Sequence, residues 1–155
     1  MKNYHFLLTG IAVLLASCQS NVKKETVIDS ATQAVIDTAK SSEQCYSMLK
    51  NRDTAMISLK ITGNKVTGTA LYNLYEKDKN KGTIAGTIVG DTILADYTFQ
   101  SEGTQSVREV AFLIKDNKLL EGFGEVKEGN SKATFKDPKR LVFGNAMAFS
   151  KTVCK

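Results

Sequence analysis

Tryptophan is absent from this chain, histidine occurs once at His5, and proline occurs once at Pro138. Cysteine is confined to Cys18, Cys45 and Cys154, and no two of them form a CxxC pair. Each shortage removes a class of chemistry. The N-terminal run MKNYHFLLTGIAVLLASC carries Lys2, an apolar core from Phe6 to Ala16, and small residues before Cys18. That is the pattern of a secretion signal, and its apolar core is too short to span a bilayer. Removal of such a signal takes His5 with it and leaves a mature chain without imidazole. Ser-His-Asp and Cys-His catalysis are thereby excluded, as are zinc sites that need histidine. The missing CxxC excludes a dithiol redox relay and the common soft-metal motifs. The expectation is a protein that is not an enzyme, with no catalytic residue, no metal site and no cofactor.

What is present points to an envelope. The residues Leu15, Ala16, Ser17 and Cys18 resemble the lipobox of bacterial lipoproteins. That resemblance implies cleavage before Cys18, so that residues 1–17 leave, a diacylglycerol thioether on the Cys18 sulfur and a palmitate-type acyl chain on its amine. Two or three chains anchor stably, since each buried methylene adds about 0.8 kcal/mol. Gln19, rather than an aspartate, follows Cys18, which in the enterobacterial sorting pattern implies the outer membrane. The oxidising periplasm makes Cys45 and Cys154 expected disulfide partners, two free thiols being the alternative. The formal charge of +5, less the one charge of Lys2, leaves +4 on the mature chain, with lysines scattered among acids. This gives no basic stripe for nucleic acid.

Residues 18–44 carry no aromatic side chain and are rich in Ser, Thr, Gln and Lys. They read as the lipidated cysteine and a flexible tether with a reach on the order of 30 Å. Within it Val27-Ile28-Asp29-Ser30-Ala31 recurs as Val35-Ile36-Asp37-Thr38-Ala39, which leaves a short docking helix as the alternative. Residues 45–155 form the expected single domain. There, segments near 54–62, 65–75, 82–89, 92–100, 106–115 and 118–127 alternate apolar and polar residues, with less regular strands near 45–49, 132–136, 141–143 and 146–154. Turn signals lie at Gly63-Asn64, Gly90-Asp91 and Asp116-Asn117. No helical period is sustained. The fold class is all-β: an antiparallel meander closing into one small barrel of about 8–10 strands.

Two-residue turns set the registers and therefore the two barrel ends. At the Gly63, Gly90 and Asp116 end, the inner face reads Ile61, Val66, Ile88, Ile93, Ile114 and Leu119, a dry floor. At the other end it reads Glu76, Phe99, Arg108 and Glu125, with Tyr72, Tyr97, Glu121 and Phe123 one layer deeper. These eight residues are the candidate ligand mouth; a solvated rim in which Arg108 and Glu125 fasten neighbouring strands is the alternative. Glu121, on an otherwise apolar face, either pairs, faces water, or marks a register slipped by one. Glu121 and Glu125 lie about 13 Å apart along one strand, beyond the roughly 5–9.5 Å of glycosidase carboxylates. The stretch EKDKNKG, residues 76–82, begins like a calcium loop, but Lys77, Lys79 and Lys81 oppose a cation and Val89 stands where the closing glutamate belongs.

From residue 45 onward the chain resembles a group of small uncharacterised bacterial lipoproteins with a single lipocalin-like barrel. The stretches YEKDKNKG, YTFQSEG and VREVAFLI and the cysteines near both domain ends carry that resemblance. It implies no defined activity. Lipoprotein lysozyme inhibitors are similar in size, barrel and disulfide, but their inhibitory loops have no match here. Envelope copper-stress lipoproteins have a related barrel with a CxxC this chain lacks. The expected function is a lipid-anchored binding module for a small ligand or a peptide or glycan end. The alternative is a filled barrel whose loops contact an envelope protein or inhibit a hydrolase. A monomer is the default.

Overall fold

The computed structural model describes residues 40–77, 79–101, 103–129 and 132–154. The leader, Cys18 and both copies of the repeated Val-Ile-Asp segment lie outside them. The strands are β1 (Ser41–Lys50), β2 (Asp53–Thr62), β3 (Lys65–Asn73), β4 (Asn80–Val89), β5 (Thr92–Ser101), β6 (Thr104–Lys115), β7 (Lys118–Phe123), β8 (Val126–Glu128), β9 (Ala133–Phe135) and β10 (Val142–Thr152). A 3-10 turn at Pro138–Arg140 precedes β10. β1 begins ahead of the expected start at Cys45: Ser41 pairs with Thr62, so part of the expected tether is strand.

The turn chemistry sets the register. Gly63 and Gly90 each have φ +59 at the first position of a two-residue turn, and Asp116 and Asn117 are both left-handed, at φ 50 and 59. These are the mirror-image turns whose twist matches paired strands. They place Ile61 opposite Val66, Ile88 opposite Ile93 and Ile114 opposite Leu119, the registers expected from sequence. Neighbouring strands pair antiparallel around β1 to β7, and β10 fits between β7 and β1. With β5 paired to β6, an eight-strand antiparallel barrel of lipocalin-like type is closed.

An eight-strand barrel is just wide enough for side chains to fill, and this one is filled. Tyr46, Ile57, Leu59, Ile84, Tyr97, Phe112 and Phe149 are all buried at its centre. Val66, Ile93 and Leu119 are buried at the floor, with Ile61, Ile88 and Ile114 packed against them. Close strand approach requires glycine at particular sites. A β-carbon on Gly68 would lie 2.0 Å from the Ser58 carbonyl oxygen and 3.1 Å from the Leu59 α-carbon. Both are backbone and cannot rotate away. Gly68→Ala is expected to cost about 2 kcal/mol, the usual scale of overpacking, read as a lower urea midpoint. Gly144→Ala, where an added β-carbon meets nothing within 4 Å, is expected to stay within about 0.5 kcal/mol.

The barrel wall departs from a plain meander at one place. The β6–β7 ladder runs from Lys115↔Lys118 to Ala111↔Gly122 and ends there. At Gly122 an added β-carbon would lie 2.6 Å from the Phe143 ring, and at Gly124 2.8 Å from a Leu141 methyl. The chain leading into β10 thus crosses over these two glycines, and β7 turns away from β6. The β8–β9 hairpin fills the vacated position, with Ala133 lying parallel beside Arg108. The Glu109 carboxylate accepts the Phe135 N–H at 2.9 Å, fixing β9 where the ladder is only one rung long. The two short strands expected near 141–143 and 146–154 are one strand, β10, with a register shift between Phe143 and Ala148.

Candidate ligand-binding mouth

Alternation along β3, β5, β6 and β7 sends Tyr72, Tyr97, Phe99, Arg108 and Glu121 to the same end of the barrel. The rings form a connected set. Tyr97 stacks on Phe99 with centroids 4.9 Å apart, and Tyr72 meets Tyr97 edge-on at 5.7 Å. Phe149 of β10 closes the set below Tyr72 at 6.3 Å. The Arg108 guanidinium carbon lies 5.5 Å from the Tyr72 and Tyr97 centroids and 5.7 Å from that of Phe99. That is cation–π range for all three.

Glu121 is the buried charged residue of the core, 6% exposed. The Tyr72 hydroxyl donates to its Oε2 at 3.2 Å, and Arg108 Nη2 stands 3.9 Å from its Oε1. Of the readings open for it, pairing is the one observed, and the register is not slipped. Burial pushes the Glu121 carboxyl above its ordinary range, against the opposing pull of Arg108 and of the Tyr72 hydrogen bond. Burial also raises the Tyr72 phenol well above its usual value, helped by the Glu121 charge. It pushes Tyr97 up to about 12, Arg108 working in the other direction. Both phenols are therefore donors across the ordinary pH range, and Tyr97 donates to the Ala70 carbonyl at 3.3 Å. The Arg108 side chain is 41% exposed, while its Nε is enclosed without a hydrogen-bond partner among the described residues.

Two of the eight expected mouth residues are elsewhere, and a third, Phe123, is at the mouth but exposed rather than inside. Glu76 was expected to end the inner face of β3, but β3 stops at Asn73 and the Lys77 N–H bonds to the Leu74 carbonyl in a turn. Glu76 sits exposed in that turn at φ 56, outside the clefts at Arg108. Glu125 does not face Arg108, because the β6–β7 ladder ends before that rung. It pairs with Lys136 at 3.3 Å on the surface. Phe123, expected inside, is 47% exposed for the same reason. Glu121 and Glu125 therefore do not share a site. Cys45 and Cys154 form a disulfide with α-carbons 5.2 Å apart.

Two openings border Arg108. A cleft of about 380 Å³ lies between β6 and the β8–β9 hairpin, its lining including Phe99, Ser106, Arg108, Glu128, Lys132 and Ala133. A smaller one of about 140 Å³ follows the seam where β7 leaves β6 and reaches Glu121. Glu109, Glu128, Lys132 and Ala133 had no place in the expected site. Glu128 and Ala133 lie on strands of three residues each, too short for clear alternation, and a parallel rung between distant segments leaves no trace in local pattern. The fold and site define a small closed barrel with a filled interior and a basic, aromatic mouth. No family model matches the chain, and neither a curated protein nor a solved structure matches it.

Proposed function

We propose that this chain is a lipid-anchored protein of the bacterial cell envelope whose barrel is a non-catalytic binding module, with its ligand held at the Arg108 mouth. The observation that carries the binding site is a partly exposed arginine side chain, its guanidinium within cation–π range of three rings, at the border of a cleft of small-ligand size. Because the interior is filled, the ligand rests on the mouth and does not enter the barrel. The anchor rests on the leader and the Leu15–Cys18 pattern. The chain enters the barrel at the floor, where Ser41 pairs with Thr62, so the mouth is at the far end from that entry.

Native mass spectrometry of the protein purified from its own envelope tests this. A bound small mass is expected on the wild type and not on Arg108→Ala. Identical spectra for the two, or no bound mass on either, would overturn the reading. A second reading has its own support: Phe123, Val126 and Val142 are 47%, 48% and 69% exposed at the mouth end, enough apolar surface to contact an envelope protein or a hydrolase. Crosslinking in the same envelope decides for it if a protein partner is captured through these residues while no small mass is bound.

A further inference from the structure

The strands beside Arg108 narrow the class of ligand, given the reading of the mouth as a binding site. Arg108 pairs with Ala133 across β6 and β9, and Ala133 pairs with Glu128 across β9 and β8. Residues opposite one another in a ladder share a face. Strands about 4.8 Å apart put the α-carbons of Arg108 and Glu128 roughly 10 Å apart. Between them Ala133 contributes one methyl group. All three line the 380 Å³ cleft, a cation on one side of a small apolar step and a carboxylate on the other.

Side chains of that length can meet across such a gap, yet these do not. Arg108 is drawn inward onto the rings and toward Glu121, which it approaches through one nitrogen at 3.9 Å. Glu128 is exposed and has no ion-pair partner among the described residues. Lys132, the other cation of the cleft, is held by Asp96. The cleft thus presents a guanidinium held by Glu121 through a single nitrogen at 3.9 Å and a carboxylate with no ion-pair partner among the described residues, separated by a methyl. We propose that it binds a small zwitterion: the ligand's carboxylate lies on Arg108, its ammonium on Glu128, and its carbon frame over Ala133. A free amino acid and a short peptide with both ends open share that chemistry.

The test uses the full chain as the cell makes it, in detergent, with nitrogen-15 labelling. The probes are L-alanine, alanylalanine, N-acetylalanine and alanine methyl ester. Shifts of the Arg108 Nε–H and of the Glu128 and Ala133 amides report binding. L-alanine or alanylalanine is expected to bind, whichever binds tighter giving the source. Removing either charge by acetylation or esterification is expected to weaken binding about tenfold or more, the scale of one lost charge-assisted contact. In Glu128→Gln the preference for a free ammonium disappears, so L-alanine and N-acetylalanine bind alike. Arg108→Lys, a point charge without the planar fork, weakens the carboxylate-bearing probes while the core resonances keep their positions.

Three results overturn the inference. N-acetylalanine binding the wild type as tightly as L-alanine makes the cleft a simple anion site. The methyl ester doing so makes it a simple cation site. The absence of shifts with every probe removes the zwitterion altogether. In each case the bound mass on the native protein still decides separately whether the mouth is a binding site.

Discussion

Replacing Cys45 and Cys154 together by alanine is expected to lower the unfolding free energy by about 4–5 kcal/mol, from the chain-entropy treatment of a long closed loop. The two residues are separated by 109 positions in sequence, so the bond restrains almost the whole domain when it is unfolded. Its place in the fold increases its importance. β1 and β2 pair along their full length, from Ser41↔Thr62 to Lys50↔Asp53. β1 and β10, by contrast, are paired only from Cys45↔Thr152 to Ser47↔Ser150. That seam closes the barrel, and the disulfide staples it beside its first rung. Domains of this kind retain about 5–15 kcal/mol in total, so the variant should be marginal at 37 °C. Reducing the wild type should reproduce the loss, with a steeper urea dependence as the unfolded chain expands. An unchanged urea midpoint in the double variant would show that the β1–β10 seam holds without the bond.

The sequence carried the fold where structure is local. Gly63, Gly90 and the Asp116-Asn117 pair dictate mirror-image turns, and each turn hands its register to the strands on both sides. This is why the placing of Ile61, Val66, Ile88, Ile93, Ile114 and Leu119 at one floor is legible in the sequence. The same logic brought Tyr72, Tyr97, Phe99 and Glu121 together, since each stands within the ladder its turn controls, while Arg108 joins them through its rung with Tyr97. It failed where a partner comes from far along the chain. Nothing local to Glu125 says that Phe143 and Leu141 cross over Gly122 and Gly124 and end the β6–β7 ladder. Glycine within a strand suits a bend, but the direction of this one depends on residues that follow much later. Glu128 and Ala133 entered the mouth for the same reason, through a single parallel rung with Arg108.

Truncating Tyr72 to alanine is expected to cost about 3–5 kcal/mol, the range for a buried aromatic ring. The residue is 3% exposed, meets Tyr97 and Phe149 edge-on, and lies beneath the Arg108 guanidinium. Tyr72→Phe separates the ring from its hydroxyl. The packing survives, but Glu121 Oε2 loses its donor at 3.2 Å, at a cost of about 1–3 kcal/mol for a buried acceptor left unpaired. The loss should grow with pH, and the sign follows from the protons. Burial holds the native Glu121 carboxyl above its ordinary value of 4.5, so between that value and the native one the folded chain binds more protons than the unfolded chain. Stability therefore is fullest below the unfolded pKa and falls as pH rises through the native one. The Tyr72 hydrogen bond opposes the upward shift, so Tyr72→Phe raises the native pKa further and carries the decline to higher pH. From pH 4.5 upward, urea midpoints should fall further in Tyr72→Phe than in the wild type. Glu121→Gln, which has nothing to titrate there, should fall less than either. If Glu121→Gln instead runs parallel to the wild type, Glu121 is not the group that couples this barrel to pH.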